Sequence, residues 1–258
     1  MSCTVDLPTR LRPGLDTAKV FLLGAGGLGV PVALFLAEVG IGHLVIADGD
    51  RVELSNLHRQ ILHATARVTL PKVESLRQAF ATSHPALRLI PLEQQITADN
   101  IRSAMAGCDL AVDGSDNFET RYLLNRVCGE MGIPLVSGAV LGWEGQVATF
   151  YHGVDPDFPC YRCLHPQAEV CGAEGGIPTC ASAGVLGPVA GMIGALQAVE
   201  VVKVLSGAPP TGSLLLINLL ENIFLRVAIP KDPECPVCGG NKTSEKKEGV
   251  WGIPPPGF

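Results

Sequence analysis

Two pairs of cysteines carry the plainest chemical signal in the chain: Cys160-Tyr161-Arg162-Cys163 and Cys235-Pro236-Val237-Cys238. A C-x-x-C turn presents two thiolates from one tight loop. Zn²⁺ takes four sulfur ligands in a tetrahedron, so two such turns can share one ion if they meet in space. The long stretch from Cys163 to Cys235 means that the ion would clip the end of the chain onto its middle, with no open coordination position. Two unrelated turns carrying buried cysteines, or a single redox-active pair, use the same residues. A second signal is Gly24-Ala25-Gly26-Gly27-Leu28-Gly29, which comes directly after the apolar run Ala18 to Leu23 and leads into a helical pattern from Gly29 to Val39. His43 to Ala47 is the next apolar run, and it ends on Asp48. Strand, glycine loop, helix, strand and terminal acid form the nucleotide-binding βαβ fingerprint. Gly24, Gly26 and Gly27 would let a phosphate approach backbone N–H groups at the positive end of the helix. Asp48 could accept hydrogen bonds from ribose hydroxyls. A tight turn that serves packing alone is the plainer alternative.

The segment after Asp48 separates a triphosphate site from a dinucleotide one. A dinucleotide needs one acid for ribose and neutral surroundings for nicotinamide, whereas a triphosphate needs several cations. The run Asp48 to Gln60 is densely polar, and Pro71-Lys72-Val73-Glu74 lies a short way beyond it. Arg59 could neutralise phosphate as a planar fork and Lys72 as a point charge. Asp116, in Asp113-Gly114-Ser115-Asp116-Asn117, is suited to Mg²⁺, which takes one or two carboxylates beside phosphate oxygens. Taken singly, each of these is more often a solvated surface charge.

These residues need a frame. Lys72 to Ala81 and Phe118 to Met131 read as helices, and Leu87 to Pro91, Cys108 to Val112 and Ile133 to Ser137 as strands. The alternation predicts an α/β fold, a Rossmann-like doubly wound and mostly parallel sheet, with ligands at the carboxyl edge of its strands. Asp48, Asp50, Asp113 and Asp116 all fall at such edges. Gln146 to Tyr151 and Ser213 to Asn218 read as antiparallel additions, and the cysteines add a C-terminal structural zinc site. The expected organisation is a lead over 1–17, a single domain over 18–240, and a mobile tail over 241–258, polar and then Gly/Pro-rich. With 258 residues, 47% apolar and 17% charged, the chain can bury a large core. A formal net charge of −6 argues against nucleic-acid or anionic-membrane binding. Val20 to Ala37 and Ala181 to Val199 lack charges over nearly a bilayer's length, but each contains glycines and a proline, so buried elements broken by turns are expected and not membrane spans. Met1 to Pro13 has no secretory pattern, so the cytoplasm is expected, a reducing setting in which nine cysteines stay available for metal or chemistry.

Taken in order, the glycine loop, Asp48-x-Asp50, Leu54-Ser55-Asn56-Leu57-His58-Arg59-Gln60, Pro71-Lys72-Val73-Glu74, Asp113-x-Ser115-Asp116-Asn117 and the two cysteine pairs resemble the MoeB/ThiF/HesA family. These are bacterial relatives of the ubiquitin-activating enzymes, and the resemblance runs from about Ala18 to Gly240. It implies adenylation by ATP and Mg²⁺ of the C-terminal glycine carboxylate of a ubiquitin-like sulfur-carrier protein ending in Gly-Gly, of ThiS or MoaD type, for thiamin, molybdopterin or related sulfur transfer. It implies Asp48 on ribose, Gly24, Gly26 and Gly27 close to the nucleotide, and Asn56, Arg59 and Lys72 on the phosphates. Asp116 matches the family's essential Mg²⁺/ATP aspartate. Cys180, in Thr179-Cys180-Ala181-Ser182-Ala183-Gly184, resembles a crossover-segment cysteine that in ThiF-like members takes up the activated carrier, although a small buried hydrophobe would need no such role. Gly142-Trp143-Glu144-Gly145-Gln146 and the second cysteine pair incline toward a ThiF-like or HesA-like member. A symmetric homodimer and a sulfurtransferase partner are further implications. One departure stands out. Family members carry a longer lead whose arginine reaches the partner subunit's ATP, whereas here only Thr9-Arg10-Leu11-Arg12-Pro13 precedes the first strand, so Arg10 or Arg12 would have to substitute. That departure keeps open a non-catalytic carrier-binding subunit, and the fingerprint alone keeps open an NAD-dependent oxidoreductase.

Overall fold

Strand β1, Lys19–Leu23, is apolar on both faces because it is buried on both: Val20 and Leu22 point into one core, Phe21 and Leu23 into another. The structure is a computed structural model describing residues 14–166 and 184–240. Arg10, Arg12, Cys171, Cys180 and the expected tail lie outside the described residues. After β1 the chain forms α1 (Gly29–Glu38), β2 (His43–Ala47), α2 (Lys72–Ser83), β3 (Arg88–Leu92), α3 (Ile101–Ala104), β4 (Leu110–Asp113) and α4 (Phe118–Met131). Next come β5 (Leu135–Leu141), β6 (Glu144–Phe150), a short α5 (Tyr161–Leu164), α6 (Gly187–Leu205), β7 (Ser213–Asn218) and β8 (Ile223–Ala228).

The eight strands form one sheet in the order β3-β2-β1-β4-β5-β6-β7-β8. Pairings from β3 to β5 are parallel, and those from β5 to β8 are antiparallel. The expected doubly wound sheet with antiparallel additions is therefore present. The chain winds outward from β1 to β2 and β3, then returns across the sheet to β4. This reversal opens a crevice between the carboxyl ends of β1 and β4, where ligands of such sheets bind. One core lies under α1, α2 and α6, with Val20, Leu36, Ile46, Leu76 and Val201 among its members, and the other lies under α3 and α4, with Phe21, Val45, Met105 and Leu124.

Helix α6 corrects one expectation. The apolar stretch from Ala181 to Val199 reads in the sequence as elements broken by turns, yet from Gly187 it is one helix running through to Leu205. Glycine inside a helix costs about 1 kcal/mol relative to alanine, which is why the sequence reads as broken. The tertiary contact offsets that cost at Gly194, where a Cβ would lie 2.5 Å from Pro31 Cγ and 2.7 Å from the Leu28 carbonyl oxygen. Only a residue without a side chain lets α6 lie this close to α1. The helix is long and apolar enough to cross a membrane by length and composition alone, but Val189, Ile193, Ala198 and Val201 are buried against the sheet and α1. Gln197, fully buried, donates from Nε2 to the Asp113 carbonyl at 2.8 Å, so the polar residue in this stretch satisfies the end of β4. Strand β8 is not among the expected elements, although its Ile-Phe-Leu-Arg-Val-Ala run suits a strand; all six of its residues are exposed, so no buried face accompanies that run.

Gly194→Ala separates helix propensity from packing. Alanine favours the helix by about 1 kcal/mol, but the clash should dominate and lower the unfolding free energy by about 1–2 kcal/mol, measured by urea denaturation. A gain in stability would show that α1 and α6 do not need close contact.

Candidate nucleotide-binding site and cysteine cluster

At the crevice three glycines touch backbone to backbone. A Cβ on Gly24 would lie 2.9 Å from the Gly114 oxygen, one on Gly29 would lie 1.9 Å from the Gly24 oxygen, and one on Gly114 would lie 3.0 Å from the Leu23 oxygen. Gly24 also has φ +96°, in the left-handed region. These residues let the end of β1, the start of α1 and the end of β4 converge. Gly26 and Gly27 differ: a Cβ at either would meet nothing closer than 3.6 Å, an ordinary contact. No packing among the described residues requires them to be glycine. Both line a cleft of about 590 Å³, within the range of ligand sites, so the space above them is available to a ligand.

The loop is fixed by its second residue. Ala25 N–H donates to Asp48 Oδ2 at 2.7 Å, and the Ala25 carbonyl lies 3.0 Å from His63 Nε2. A carbonyl only accepts, so Nε2 carries the proton and Nδ1 accepts from the Ser75 hydroxyl at 2.9 Å. Burial holds the His63 pKa below the ordinary histidine value, against the Ala25 hydrogen bond and with help from the charges of Lys72 and Arg67. Sequence reasoning does not single out His63 or Ser75. Asp48 Oδ1 accepts from the Asp50 N–H at 2.8 Å. Lys72, the first residue of α2, places Nζ 2.7 Å from Asp50 Oδ2 and 4.0 Å from Asp48 Oδ2. Its side chain is 7% exposed, so the ammonium is aimed and not waving in solvent.

Arg59 is steadied by Asn56, whose Oδ1 accepts from Nη2 at 2.7 Å. Across the cleft, the loop after β4 carries Asp113, Ser115, Asp116 and Asn117. Asp113 is fully buried and occupied by its neighbours: Oδ1 accepts from the Ser115 N–H at 2.9 Å and hydroxyl at 2.6 Å, and Oδ2 from the Ser137 hydroxyl at 3.1 Å. It braces the loop and, fully buried, does not line the cleft. Asp116 is exposed in the cleft, and Asn117 caps α4 by accepting from the Thr120 N–H at 2.9 Å. Gly24, Gly26, Gly27, Asp48, Asn56, Arg59, Lys72 and Asp116 thus line one cleft. Gln60 joins them; it is 3% exposed and its Oε1 has no partner among the described residues. A buried amide oxygen left over beside an open cleft fits a group completed by a ligand.

The four cysteines converge where α5 meets the segment after β8. Cys160, Cys163, Cys235 and Cys238 place all four sulfurs within 4.8 Å of one another, with Cys160–Cys235 at 3.7 Å and Cys163–Cys238 at 3.4 Å. Ligand bonds of about 2.3 Å in a tetrahedron require sulfurs about 3.8 Å apart, so the set fits Zn²⁺. Backbone N–H groups of Val237 and Cys238 point at the Cys235 sulfur, as in a metal knuckle. Burial pushes the Cys160 thiol up to about 11. Lys231 ties the two knuckles together by donating to the carbonyls of Phe158 at 3.3 Å, Cys238 at 3.1 Å and Pro156. Cys108 and Cys128, buried in the core, behave as hydrophobes.

Beside the cleft runs an apolar groove of about 440 Å³ lined by Ala139, Val140, Leu216, Ile223 and Leu225. Val140 lines both spaces.

Residues 7–237 match the ThiF family. The chain is 44% identical over 227 residues to "SAMP-activating enzyme E1" of Haloferax volcanii, covering 87% of this chain and 82% of that protein. It is 42% identical over 236 residues to "Sulfur carrier protein adenylyltransferase" of Thermus thermophilus, covering 90% and 86%. Against "Adenylyltransferase and sulfurtransferase MOCS3" of Sus scrofa it is 40% identical over 232 residues, but spans only 50% of that protein. Among solved structures, E. coli MccB with MccA-N7isoASN superposes with a TM-score of 0.78 at 22% identity, covering 90% of this chain and 70% of that one, a likeness of fold.

His152 and His165 share the fate of His63: burial lowers their pKa values too. In each case the unfolded chain, near 6.5, binds protons that the folded chain refuses. Stability from these groups is therefore complete above about pH 6.5 and is lost as the pH falls through their folded values. The urea midpoint should decline on acidification in this window, and His63→Gln should shallow that decline without altering bound metal. A midpoint flat until carboxylates titrate would contradict the buried neutral imidazoles.

Proposed function

The chain belongs to the ThiF family, and on that premise we propose that it adenylates the C-terminal glycine carboxylate of a ubiquitin-like sulfur-carrier protein with ATP. The observation that carries this reading is one cleft in which a glycine loop, two oriented cations and an exposed carboxylate face one another, continuous with an apolar groove along the antiparallel strands. A nicotinamide has no use for such a set of charges.

In the reaction a carboxylate oxygen of the carrier forms a bond to the α-phosphorus of ATP, and the bond from that phosphorus to pyrophosphate breaks. The products are an acyl-adenylate and pyrophosphate. Both reactants are anions, so the protein's work is neutralisation and alignment. Arg59, held by Asn56, presents its fork to phosphate oxygens, and Lys72, aimed by Asp48 and Asp50, adds a point charge. Asp48 also offers ribose an acceptor while fixing Ala25, and Gly26 and Gly27 leave the phosphates room at the start of α1. Asp116 would hold Mg²⁺, which when bound neutralises charge on phosphate oxygens. No general base is needed, since the carboxylate is ionised at neutral pH.

The carrier's body would rest on the exposed apolar strand β8, where Phe224, Leu225 and Val227 are all uncovered, with its Gly-Gly tail passing Val140 into the cleft. Zn²⁺ on the four cysteines is structural, with no open position. Phe35 and Val199, exposed on α1 and α6, are surface that a second copy would cover in a homodimer, with Arg10 or Arg12 reaching the partner's nucleotide. Cys180 would accept the activated carrier, and a sulfurtransferase would supply the sulfur. Persisting thiols call for a reducing compartment such as the cytoplasm.

Exchange of labelled pyrophosphate into ATP, dependent on a carrier ending in Gly-Gly, tests the reading. Asp116→Ala should lower exchange by about 10²-fold or more at unchanged melting temperature, and Lys72→Ala should lower exchange by a similar factor. Cys180→Ser should retain exchange yet block sulfur delivery. Carrier binding without exchange would point instead to a non-catalytic subunit.

A further inference from the structure

Beside the glycine loop a buried carboxamide keeps a polar end unspent. Residues 59–63 run along the loop in the reverse direction. A Cβ on Gly27 would lie 3.6 Å from Arg59 Cδ, one on Gly26 would lie 3.6 Å from Gln60 Nε2, and the Ala25 carbonyl lies 3.0 Å from His63 Nε2. The backbone fixes this turn: the Gln60 N–H donates to the Asn56 carbonyl at 3.2 Å and the His63 N–H to the Gln60 carbonyl at 3.0 Å. Three successive loop residues thus each receive one side chain from the turn.

Gln60 and His63 are both withdrawn from solvent, at 3% and 6% exposure. Their polar atoms are used differently. Both nitrogens of His63 have partners, the Ala25 carbonyl and the Ser75 hydroxyl, so that side chain serves the fold. Gln60 borders the cleft, and its Oε1 has no partner among the described residues. Burial strips an amide of its hydration and a long side chain of its rotamer freedom. A glutamine that makes no hydrogen bond is therefore a poorer occupant of such a position than a methionine of similar length. Packing alone does not account for an amide here.

The placement of the amide supplies the reason. Its Nε2 end lies against Gly26, where an incoming anion would approach the start of α1. A phosphate oxygen only accepts, so it calls for the –NH₂ end. The two ends of a carboxamide have the same shape, so the group can present that end by turning about its last bond without moving its stem. We propose that Gln60 is a phosphate-binding residue, donating from Nε2 to a phosphate oxygen of the bound nucleotide above Gly26, next to Arg59 above Gly27. The inference rests on reading the cleft as a nucleotide site. It adds a neutral donor to the two cations, at a position where binding is favoured over the stability of the empty fold.

The test measures, on the full chain, the melting temperature without ligand and the dissociation constant of a non-hydrolysable ATP analogue with Mg²⁺. Gln60→Met keeps the length of the side chain and removes both polar ends. It should melt about 2–4 °C higher than the parent protein when empty, and bind the analogue about 10–100-fold more weakly. Gln60→Glu keeps the shape, offers only acceptors when ionised and sets a negative charge beside the phosphate, so it should bind more weakly still. A glutamine that serves the fold alone gives the opposite pattern: Gln60→Met melts lower and binds the analogue as the parent does. That pattern overturns the proposal. So does parental affinity in Gln60→Glu, which would mean that the amide oxygen and not the nitrogen meets the ligand. Failure of the parent protein itself to bind the analogue would instead remove the nucleotide reading, and the proposal with it.

Discussion

Three backbone segments can share the centre of this molecule only because no side chain separates them. Gly24, Gly29 and Gly114 bring the end of β1, the first turn of α1 and the end of β4 into contact at distances that exclude a Cβ on Gly24 or Gly29 and leave little room for one on Gly114. That contact sets the position of the helix N-terminus over the crevice, the placement of Asp116 opposite Asp48, and the room left above Gly26 and Gly27. A substitution there would not merely strain a turn; it would part the walls of the cleft. Asp48 and His63 complete the arrangement by holding the N–H and the carbonyl of Ala25, in the two peptide units that flank it.

Charge in the cleft is organised by close pairing. Asp113 is occupied by Ser115, Ser137 and the nearby Arg121, and it stiffens the loop without facing outward. Lys72 is held between two carboxylates and Arg59 by an amide, so both cations are oriented before any phosphate arrives. Preorganised charge of this kind costs little reorganisation at the moment of reaction. The cysteine cluster plays a different part: it ties the segment before α5 to the one after β8, and through Tyr161 and Asn125 it braces α4.

Much of this is legible in the sequence where local pattern and tertiary role coincide. The bounds of β2, α4 and β7 agree with apolar runs and, for α4, with the Asn117 cap. The glycine spacing points to the crevice, and the two C-x-x-C pairs point to a cluster that the fold duly assembles. Tertiary contact hides the rest. Gly191 and Gly194 look like breaks, and only the placement of α1 against Gly194 explains why the helix runs on, while β8 has no buried face to mark it. His63, Gln60 and Arg121 are ordinary polar residues in a linear reading; only burial against the glycine loop or beneath the Asp116 loop distinguishes them. Gln60 does stand inside the polar run after Asp48, a signal that could draw it in. Cys180, Arg10 and Arg12 lie outside the described residues, and their roles rest on resemblance.

Whether the cleft joins a peptide's terminal carboxylate to the α-phosphate of ATP can be read from the mass of the carrier itself. A carrier ending in Gly-Gly is incubated with this protein, ATP and Mg²⁺, quenched in acid and weighed intact by mass spectrometry. It should be heavier by one AMP less one water, and the increment should be absent when the terminal glycine is removed. A carrier of unchanged mass, from a preparation that binds both carrier and ATP, would contradict adenylation in this cleft.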